Sequence, residues 1–543
     1  MKTLIEYITD ELNSLEDLPN ILLADEEDFS DIKESFGQTT IYENVNFTSN
    51  VKSLATAQTV YLSSQYNYSE SYTQKKKDIY DNAKSTLMRV FEYLRKCPLL
   101  LCRGRECDND TFNIECDFYL SYYKKEVSHL ACMFDAMSFP VKGDETDRLK
   151  VICIPEWNEK ERQILVLPEI GVTFVLGTDY YEEIKNAFLR MSIFRAKEKG
   201  FLPLHAAAKT ITVSDENSGK KKVGVVIFGI SSTGKTTHIL HDHGFRGKGE
   251  KVSFLQDELV FFTDKGQILG SEKGFYIRCE SLSGFNQPLL YNCTKMPGVI
   301  LENVMVDFQG KIYFEDKTIT GNSHAVISRE LLGENCRDES VNMPSLNDLD
   351  ELIFIFMAKN FTVVPIVSKL TDEQAAACYM FSEPFDAMAS EFGKCDGKNT
   401  LASMPAGLGN NTEDVNQFYS LLKKYDSKIE CFMINNGGVG ELVETFIDGS
   451  RKIKKKVTRV SIPEISQVIR ALVKKNIEWK DDRNWQVKVP VKIEGMNIDK
   501  YELSSYYSQD KCDILISQIR DERRAFAENY TGLHENIVNA IEF

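Results

Sequence analysis

The sequence has no apolar run long enough to cross a bilayer. Its longest runs, such as residues 352–358, fall far short of the roughly 20 residues that a membrane-spanning helix needs. It also has no excess of positive charge, because 81 acidic residues outnumber 65 basic ones and give a net charge of −16. An acidic chain is poorly suited to binding nucleic acid or an anionic membrane surface. We therefore expect no nucleic acid and no membrane as partner, and expect small-molecule ligands instead.

Signals for export are also missing. Acidic residues recur through the first 18 positions, so no cleavable apolar segment is predicted there. The 13 cysteines are odd in number and scattered along the chain, which is not typical of a disulfide framework. These features predict a cytoplasmic protein with free thiols.

The composition is that of a globular protein, with 42% hydrophobic and 27% charged residues. A length of 543 residues predicts two to four domains. Strand-like segments fill residues 149–176, and a helix is predicted over 180–199, where Gly200 is well placed to end it. We expect one lobe over residues 1–200 and a second over 201–543. Strands interspersed with helices predict an α/β fold with a mixed sheet.

A phosphate-binding pattern follows the strand predicted over residues 223–228. The pattern is G-x-x-x-x-G-K-[ST], and a helix is predicted directly after it. In such a loop the backbone amides surround phosphate oxygens, the lysine reaches the β- and γ-phosphates, and the threonine hydroxyl suits Mg²⁺. The N-terminus of the helix would also favour phosphate. The alternative is a glycine-rich turn without a ligand. The residues expected to hold ATP and Mg²⁺ are Gly229, Ser231, Thr233, Gly234, Lys235, Thr236 and Thr237.

A strand that ends in acidic residues follows the loop. Asp257 lies 22 residues after Lys235, between Gln256 and Glu258. Carboxylates at a strand end beside a phosphate loop commonly hold a metal ion in nucleotide enzymes. An acidic hairpin turn is the alternative interpretation of this segment.

Several motifs resemble those of the ATP-dependent phosphoenolpyruvate carboxykinase family. The loop GISSTGKTT is similar to the family's GLSGTGKTT, and GTDYYEEIKN at 177–186 is similar to GTxYxGExKK. The order is collinear over about residues 165–475, whereas residues 1–160 match poorly. The resemblance implies a two-lobed fold with a P-loop nucleotide-binding lobe and a lid around 391–411. Further matches are residues 203–208 to MHCSAN, 255–258 to GDDE, 271–283 to FEGGCYAKxxxLS, 300–306 to LLENVxV, 365–371 to PPVSRLT, 434–437 to VNTG and 459–462 to RISI.

The resemblance implies a second divalent metal, Mn²⁺ or another transition metal, held by His205 and Asp257. The family's third ligand is a lysine, and Asn186 stands at the corresponding position. An amide oxygen is a harder ligand than an amine and needs no deprotonation to bind. Gln256 likewise replaces the first acid of the family's pair, which serves the nucleotide-bound Mg²⁺. We therefore expect the metal preference to differ from that of the family.

The resemblance also implies the residues on the substrate side. Arg278 corresponds to the family's γ-phosphate-side lysine and Lys369 to its substrate-side arginine, so both exchanges keep the charge and change its geometry. Tyr180 corresponds to the substrate-contacting tyrosine, with a core aromatic residue as the alternative. Arg459 would face the base and ribose. Arg105 is the residue that resembles the oxaloacetate-binding arginine, with an ordinary surface arginine as the alternative.

Three functions are compatible with this pattern. The exchanges at Asn186 and Gln256 favour ATP-dependent phosphoryl transfer to an acceptor other than oxaloacetate, or to water, because fold does not determine function. The alternative is the carboxykinase reaction, in which oxaloacetate and ATP give phosphoenolpyruvate, ADP and CO₂. A non-catalytic nucleotide sensor is the third, and the intact pair Lys235 and Thr236 is evidence against it.

Overall fold

The computed structural model describes residues 2–64, 72–143, 148–159, 161–215, 219–229, 233–280, 282–318, 321–336, 340–381, 411–445 and 451–543. The described chain divides into two compact units. The first comprises Met1–Lys199 and Ser271–Gly333, and the second comprises Gly200–Gly270 and Glu334–Phe543. The architecture is mixed α/β in both units, as the sequence predicts.

The helices, in chain order, are α1 (Lys2–Leu15), α2 (Glu26–Phe36), α3 (Gln74–Leu94), α4 (His129–Met137), α5 (Tyr181–Glu198), α6 (Lys235–Ile239), α7 (Pro288–Cys293), α8 (Asp372–Phe381), α9 (Asn411–Lys424), α10 (Ile462–Lys474), α11 (Gln509–Ala527) and α12 (Glu535–Asn539). The strands are β1 (Ile21–Leu23), β2 (Gln38–Thr39), β3 (Val45–Phe47), β4 (Thr59–Tyr61), β5 (Leu99–Asn109), β6 (Phe112–Ser121), β7 (Arg148–Ile154), β8 (Gln163–Leu167), β9 (Val172–Leu176), β10 (Leu202–Leu204), β11 (Ala206–Asp215), β12 (Gly219–Phe228), β13 (Lys251–Gln256), β14 (Val260–Phe262), β15 (Ile268–Gly270), β16 (Phe275–Arg278), β17 (Ile300–Glu302), β18 (Met305–Val306), β19 (Ile312–Tyr313), β20 (His324–Ile327), β21 (Glu351–Ala358), β22 (Val367–Leu370), β23 (Ile429–Asn435), β24 (Leu442–Thr445), β25 (Arg451–Lys455), β26 (Ile477–Asp482) and β27 (Val487–Ile493).

The first unit is built on a seven-stranded mixed sheet in the order β1-β5-β6-β7-β9-β8-β4. Helices α1 and α3 contribute apolar residues to one core with this sheet, because apolar side chains three or four positions apart lie on one face of each helix. Phe91 of α3 packs edge-on against Phe174 of β9, with ring centroids 5.7 Å apart. The helix expected over 180–199 is α5.

The first unit also contains residues 271–333, which the sequence analysis assigned to the second lobe. They form part of a five-stranded sheet in the order β16-β20-β17-β3-β2. Strand β17 pairs in parallel with β3, with Ile300 opposite Val45. A pairing between strands so far apart in the sequence leaves no local pattern, so sequence periodicity does not reveal it.

The second unit is built on an eight-stranded sheet in the order β13-β11-β12-β21-β23-β22-β27-β26. Its centre is formed by the parallel strands β12, β21 and β23, whose segments 223–228, 352–358 and 431–434 are the apolar runs expected for strands buried on both faces. Aromatic rings pack on one face, where Phe228 stacks on Phe356 at 4.7 Å between centroids and meets Phe418 of α9 edge-on. This sheet carries the candidate site.

The chain ends in two separate helices, α11 and α12. Gly532 between them adopts a left-handed conformation with φ 87°, and the side chain of His534 caps α12. Apart from Asn411, which begins α9, the lid expected around 391–411 lies outside the described residues. Over the part of the chain that the structure describes, no helix combines the length and apolar character needed to span a membrane.

Candidate functional site

The candidate nucleotide site lies at one edge of the eight-stranded sheet. Strands β12, β21 and β23 run in parallel and end in register, with Phe228 opposite Phe356 and Ala358 opposite Asn435. The loops that follow these strands therefore leave the sheet at the same edge, where ligands bind in open α/β sheets. Strand β11 is antiparallel to β12 and begins at this edge. Strand β13 is antiparallel to β11, so it runs in the same direction as β12 and ends at this edge.

At two positions of the phosphate-binding loop the structure requires glycine. A Cβ atom on Gly229 would lie 2.3 Å from Oγ1 of Thr233, so the loop closes back on its own first residue. Gly234 has φ 86°, a conformation that disfavours any residue with a Cβ atom. The Thr233 side chain packed against Gly229 and the left-handed backbone at Gly234 fit the predicted phosphate loop. Ser231 lies outside the described residues.

Helix α6 begins at Lys235 directly after the loop, as predicted. Lys235 is buried, whereas Thr236 and Thr237 are partly exposed. The helix is only five residues long. Its dipole is therefore a small contribution, and the loop amides and the lysine ammonium carry most of the expected attraction for phosphate.

The side chain of Asn436, a residue that had no predicted role, contacts this loop. Asn436, directly after β23, donates from Nδ2 to the carbonyl oxygen of Thr233, and its buried Oδ1 has no hydrogen-bond partner among the residues that the structure describes. An unsatisfied buried acceptor beside a phosphate loop is costly in isolation, and a ligand N–H, hydroxyl or hydrated cation would satisfy it.

The preceding residue, Asn435, holds the neighbouring loops together. Its Oδ1 accepts from the backbone N–H groups of Asn360 and Gly437, at 2.8 and 3.0 Å. Its Nδ2 donates to the carbonyl oxygens of Val364 and Gly438, at 3.0 and 3.1 Å. The side chain is fully buried. One asparagine thus joins the loops that follow β21 and β23.

The predicted metal ligands of the second unit flank the same edge. His205 immediately precedes β11, and Asp257 immediately follows β13. His205 Nε2 lies 3.1 Å from Oε1 of Glu258, a contact that the sequence analysis did not anticipate. Gln256 accepts from the N–H of Asp257 at 2.9 Å and so shapes the turn.

Few of the described side chains are placed to bind a second metal ion. In the described ranges, no group of three or more His, Cys, Asp or Glu side chains is arranged to hold a metal ion. His205 and Asp257 therefore need an amide, a ligand oxygen or water to complete a coordination shell. Without such a further donor, the residues present fit a second metal poorly.

Two predicted cations are placed differently relative to this edge. Arg459 follows a bridge between Val439 and Thr458, and its guanidinium lies 4.6 Å from the ring centroid of Phe361 in the loop after β21. Arg459 therefore lies at the edge. Lys369 pairs with Phe432 within the sheet and bonds Glu430 at 2.9 Å, farther down β23. The structure does not bring its ammonium to the phosphate loop.

The first unit gathers another group of predicted residues. Arg278, His324 and Glu302 are direct cross-strand neighbours, so their side chains lie on one face of the five-stranded sheet. Tyr180 Oη lies 3.4 Å from Nδ1 of His324 and donates to Glu182 at 2.5 Å. Burial and the neighbouring Glu182 raise the pKa of Tyr180, so the phenol stays protonated. His324 thus links two predicted residues, Tyr180 and Arg278, and sequence spacing gave no signal for it.

The two remaining predicted residues of the first unit have different surroundings. Asn186 is partly buried on α5. Arg105 is buried, donates to the carbonyl oxygen of Cys107 at 3.0 Å and pairs with Asp108 at 2.8 Å. Its Nε donates to the carbonyl oxygen of Pro140 at 3.3 Å. These contacts engage every nitrogen of the guanidinium and support a structural role more than that of a substrate anchor.

We expect Gly229→Ala to weaken ATP binding by about tenfold or more, because the new methyl group would overlap Thr233 Oγ1 and open the loop. Calorimetric titration with MgATP measures the effect. Gly143→Ala is the control, because a Cβ atom there would meet nothing within 4 Å. Unchanged affinity in Gly229→Ala would contradict the placement of phosphate in this loop.

Comparison with known proteins gives a consistent result. The family model described as phosphoenolpyruvate carboxykinase matches residues 29–499. The chain is 28% identical over 409 residues to the phosphoenolpyruvate carboxykinase (ATP) of Aeropyrum pernix, covering 75% of this chain and 77% of that protein. It is 25% identical over 401 residues to the phosphoenolpyruvate carboxykinase (ATP) of Fusobacterium nucleatum, covering 72% and 69%. The family match thus extends well into the region that shows few recognisable motifs.

Proposed function

Because the chain belongs to the ATP-dependent phosphoenolpyruvate carboxykinase family, we propose that it transfers the γ-phosphoryl group of ATP to the enolate formed when oxaloacetate is decarboxylated. Oxaloacetate loses CO₂, and the resulting enolate oxygen takes the phosphoryl group, which gives phosphoenolpyruvate and ADP. The observation that carries the proposal is the closed phosphate loop, with Gly229 against Thr233 and Lys235 next to it, in a chain whose relatives are named for this reaction.

The residues of the loop bind and orient the nucleotide in this proposal. The backbone N–H groups around Gly234 hold the phosphate oxygens, and the Lys235 ammonium neutralises charge on the γ-phosphoryl group. The Thr236 hydroxyl would hold Mg²⁺, and the ion would supply further neutralisation of the phosphate charge. Arg459 and Phe361 would flank the base and ribose, since a guanidinium stacked on an aromatic ring offers a flat surface.

The substrate-side roles stay proposals that derive from the family resemblance. Arg278 supplies positive charge, and Tyr180 supplies a protonated phenol held between His324 and Glu182. We further propose a cytoplasmic location. The 12 cysteines among the described residues are buried, and none of them is joined to another by a disulfide, which suits a reducing compartment.

The reaction is tested with purified protein, ATP, oxaloacetate and either Mg²⁺ or Mn²⁺. We expect phosphoenolpyruvate to appear in ³¹P NMR spectra only when ATP, oxaloacetate and the metal ion are all present. Release of ADP without phosphoenolpyruvate would contradict the carboxykinase proposal and support the second candidate below. Binding of ATP without turnover under any divalent metal would instead indicate a nucleotide sensor.

A second candidate is phosphoryl transfer to another acceptor or to water. Three observations favour it: Asn186 stands where the family has a lysine ligand, Gln256 stands where it has an acid, and Lys369 is paired with Glu430. The names of the relatives favour oxaloacetate over this candidate. The NMR experiment separates the two.

We expect Asn186→Lys to shift the metal preference towards Mn²⁺ or another transition metal, because an amine is a softer ligand than an amide oxygen. Turnover is measured against the concentration of each metal at two pH values, since the lysine must lose a proton to bind. The matched control is Asn113→Lys, at a partly buried asparagine on β6. If both variants keep the wild-type metal dependence, Asn186 is not near the metal.

A further inference from the structure

A lysine and three histidines form a buried cluster behind the phosphate-binding loop. Lys209 lies on β11, and its side chain points to the face opposite Ala206 and Ala208, which belong to the aromatic-rich core. The lysine is 0% exposed. Its Nζ lies 2.7 Å from the carbonyl oxygen of His238, 3.0 Å from that of His241 and 2.6 Å from Nε2 of His243.

These contacts lie at the end of α6. The last carbonyl groups of a helix have no partner within it, and a buried carbonyl without a partner is costly. An ammonium group has three N–H bonds, and here it meets three acceptors. Burial lowers the pKa of Lys209 well below its usual value, but these acceptors and the nearby Asp242 favour the charged form. A helix of only five residues has little stability of its own, so its position depends on contacts of this kind. Lys209 therefore holds in place the helix that begins with Lys235.

The cluster continues to α10 through His243. Its Nδ1 lies 3.1 Å from Oγ of Ser466, and Arg470 donates to its carbonyl oxygen at 3.3 Å. Burial and the Lys209 ammonium lower the pKa of His243 well below its usual value, so the imidazole stays a neutral acceptor for the lysine. The same ammonium is thus linked to α10, the helix that follows Arg459 in the chain.

We propose that Lys209 is a positioning residue of the nucleotide site, which sets the place of Lys235 and Thr236 by holding the end of α6. The proposal rests on the proposed phosphoryl transfer. It adds a residue that had no predicted role, one that acts through the helix and does not touch the nucleotide.

The experiment compares two lysine-to-methionine variants on the same sheet. Lys209→Met removes the ammonium and keeps the apolar stem. Lys221→Met removes a lysine of β12 that pairs with Glu351 at 2.7 Å, at the end of the strand away from the loop. Urea unfolding, MgATP affinity, kcat and KM are measured for both. We expect Lys209→Met to raise KM for ATP and lower kcat by about tenfold each, because a small displacement of Lys235 impairs both binding and chemistry.

Lys221→Met is expected to lose stability with wild-type kcat and KM. A folded Lys209→Met with wild-type affinity and kcat overturns the inference, and so does an equal loss in Lys221→Met. If Lys209→Met does not fold, Ser466→Ala decides, because it removes the hydrogen bond between the His243 side chain and α10 and leaves the ammonium in place. We then expect about threefold weaker MgATP binding, and unchanged binding overturns the inference. Failure of the wild-type protein to bind MgATP would contradict the proposed function instead.

Discussion

Lys235→Ala is expected to lower kcat by about a thousandfold or more while the protein stays folded. The ammonium is buried at the start of α6, where its charge is poorly screened by water. Removing a positive charge that neutralises the transferring phosphoryl group removes stabilisation present mainly in the transition state. Single-turnover ADP release at saturating MgATP measures the loss apart from weaker binding.

Lys221→Ala provides the comparison for this variant. Both lysines belong to the same strand–loop–helix segment, but Lys221 lies near the start of β12 and pairs with Glu351. We expect Lys221→Ala to keep wild-type turnover. Retention of more than a tenth of the wild-type kcat by Lys235→Ala would contradict the proposed role of the loop.

The nucleotide loop was predictable from the sequence because its function depends on local chemistry. Gly229, Gly234, Lys235 and Thr236 lie within eight consecutive residues, and the strand before them and the helix after them have local signals as well. The structure confirms that strand and helix as β12 and α6. The α/β class with a mixed sheet is likewise confirmed, because alternation of strands and helices is also a local pattern.

Contacts that depend on register were not predictable in the same way. His324 lies opposite both Arg278 and Glu302, and this follows only from how β16, β20 and β17 pair. Asn436 reaches Thr233 across more than 200 residues of sequence. The motif match identified Lys369, but a match does not determine where a side chain points, and its ammonium bonds Glu430. Long-range pairing therefore decides which members of the predicted set are neighbours.

Glu302→Gln is expected to make stability less dependent on pH. Burial raises the pKa of Glu302 to about 8, from an ordinary value of 4.5. The carboxyl group accepts from the N–H of Tyr181 at 3.0 Å and bonds the Tyr276 hydroxyl at 2.7 Å, and Glu182 and Asp179 add negative charge nearby. The folded protein therefore keeps a proton on Glu302 that the unfolded chain releases above about pH 4.5.

The direction of the effect follows from this difference in bound protons. The contribution of the protonated carboxyl group is fully present below pH 4.5 and is lost as the pH rises towards 8. Glutamine has no proton to lose. The free energy of unfolding of Glu302→Gln, minus that of the wild type, should therefore increase by about 3 kcal/mol between pH 4.5 and pH 7. Urea unfolding across this range measures the difference.

Glu183→Gln separates this effect from the general result of replacing a buried glutamate. Glu183 is also fully buried, but it pairs with Arg190 at 3.1 Å and accepts from the N–H of Ala55 at 2.7 Å. Its replacement leaves a buried guanidinium without its partner and should destabilise the protein at pH 7. Glu183→Gln should thus be less stable than the wild type at pH 7, whereas the stability of Glu302→Gln relative to the wild type should rise with pH. A constant difference between Glu302→Gln and the wild type from pH 4.5 to 7 would mean that Glu302 is ionised in the folded protein.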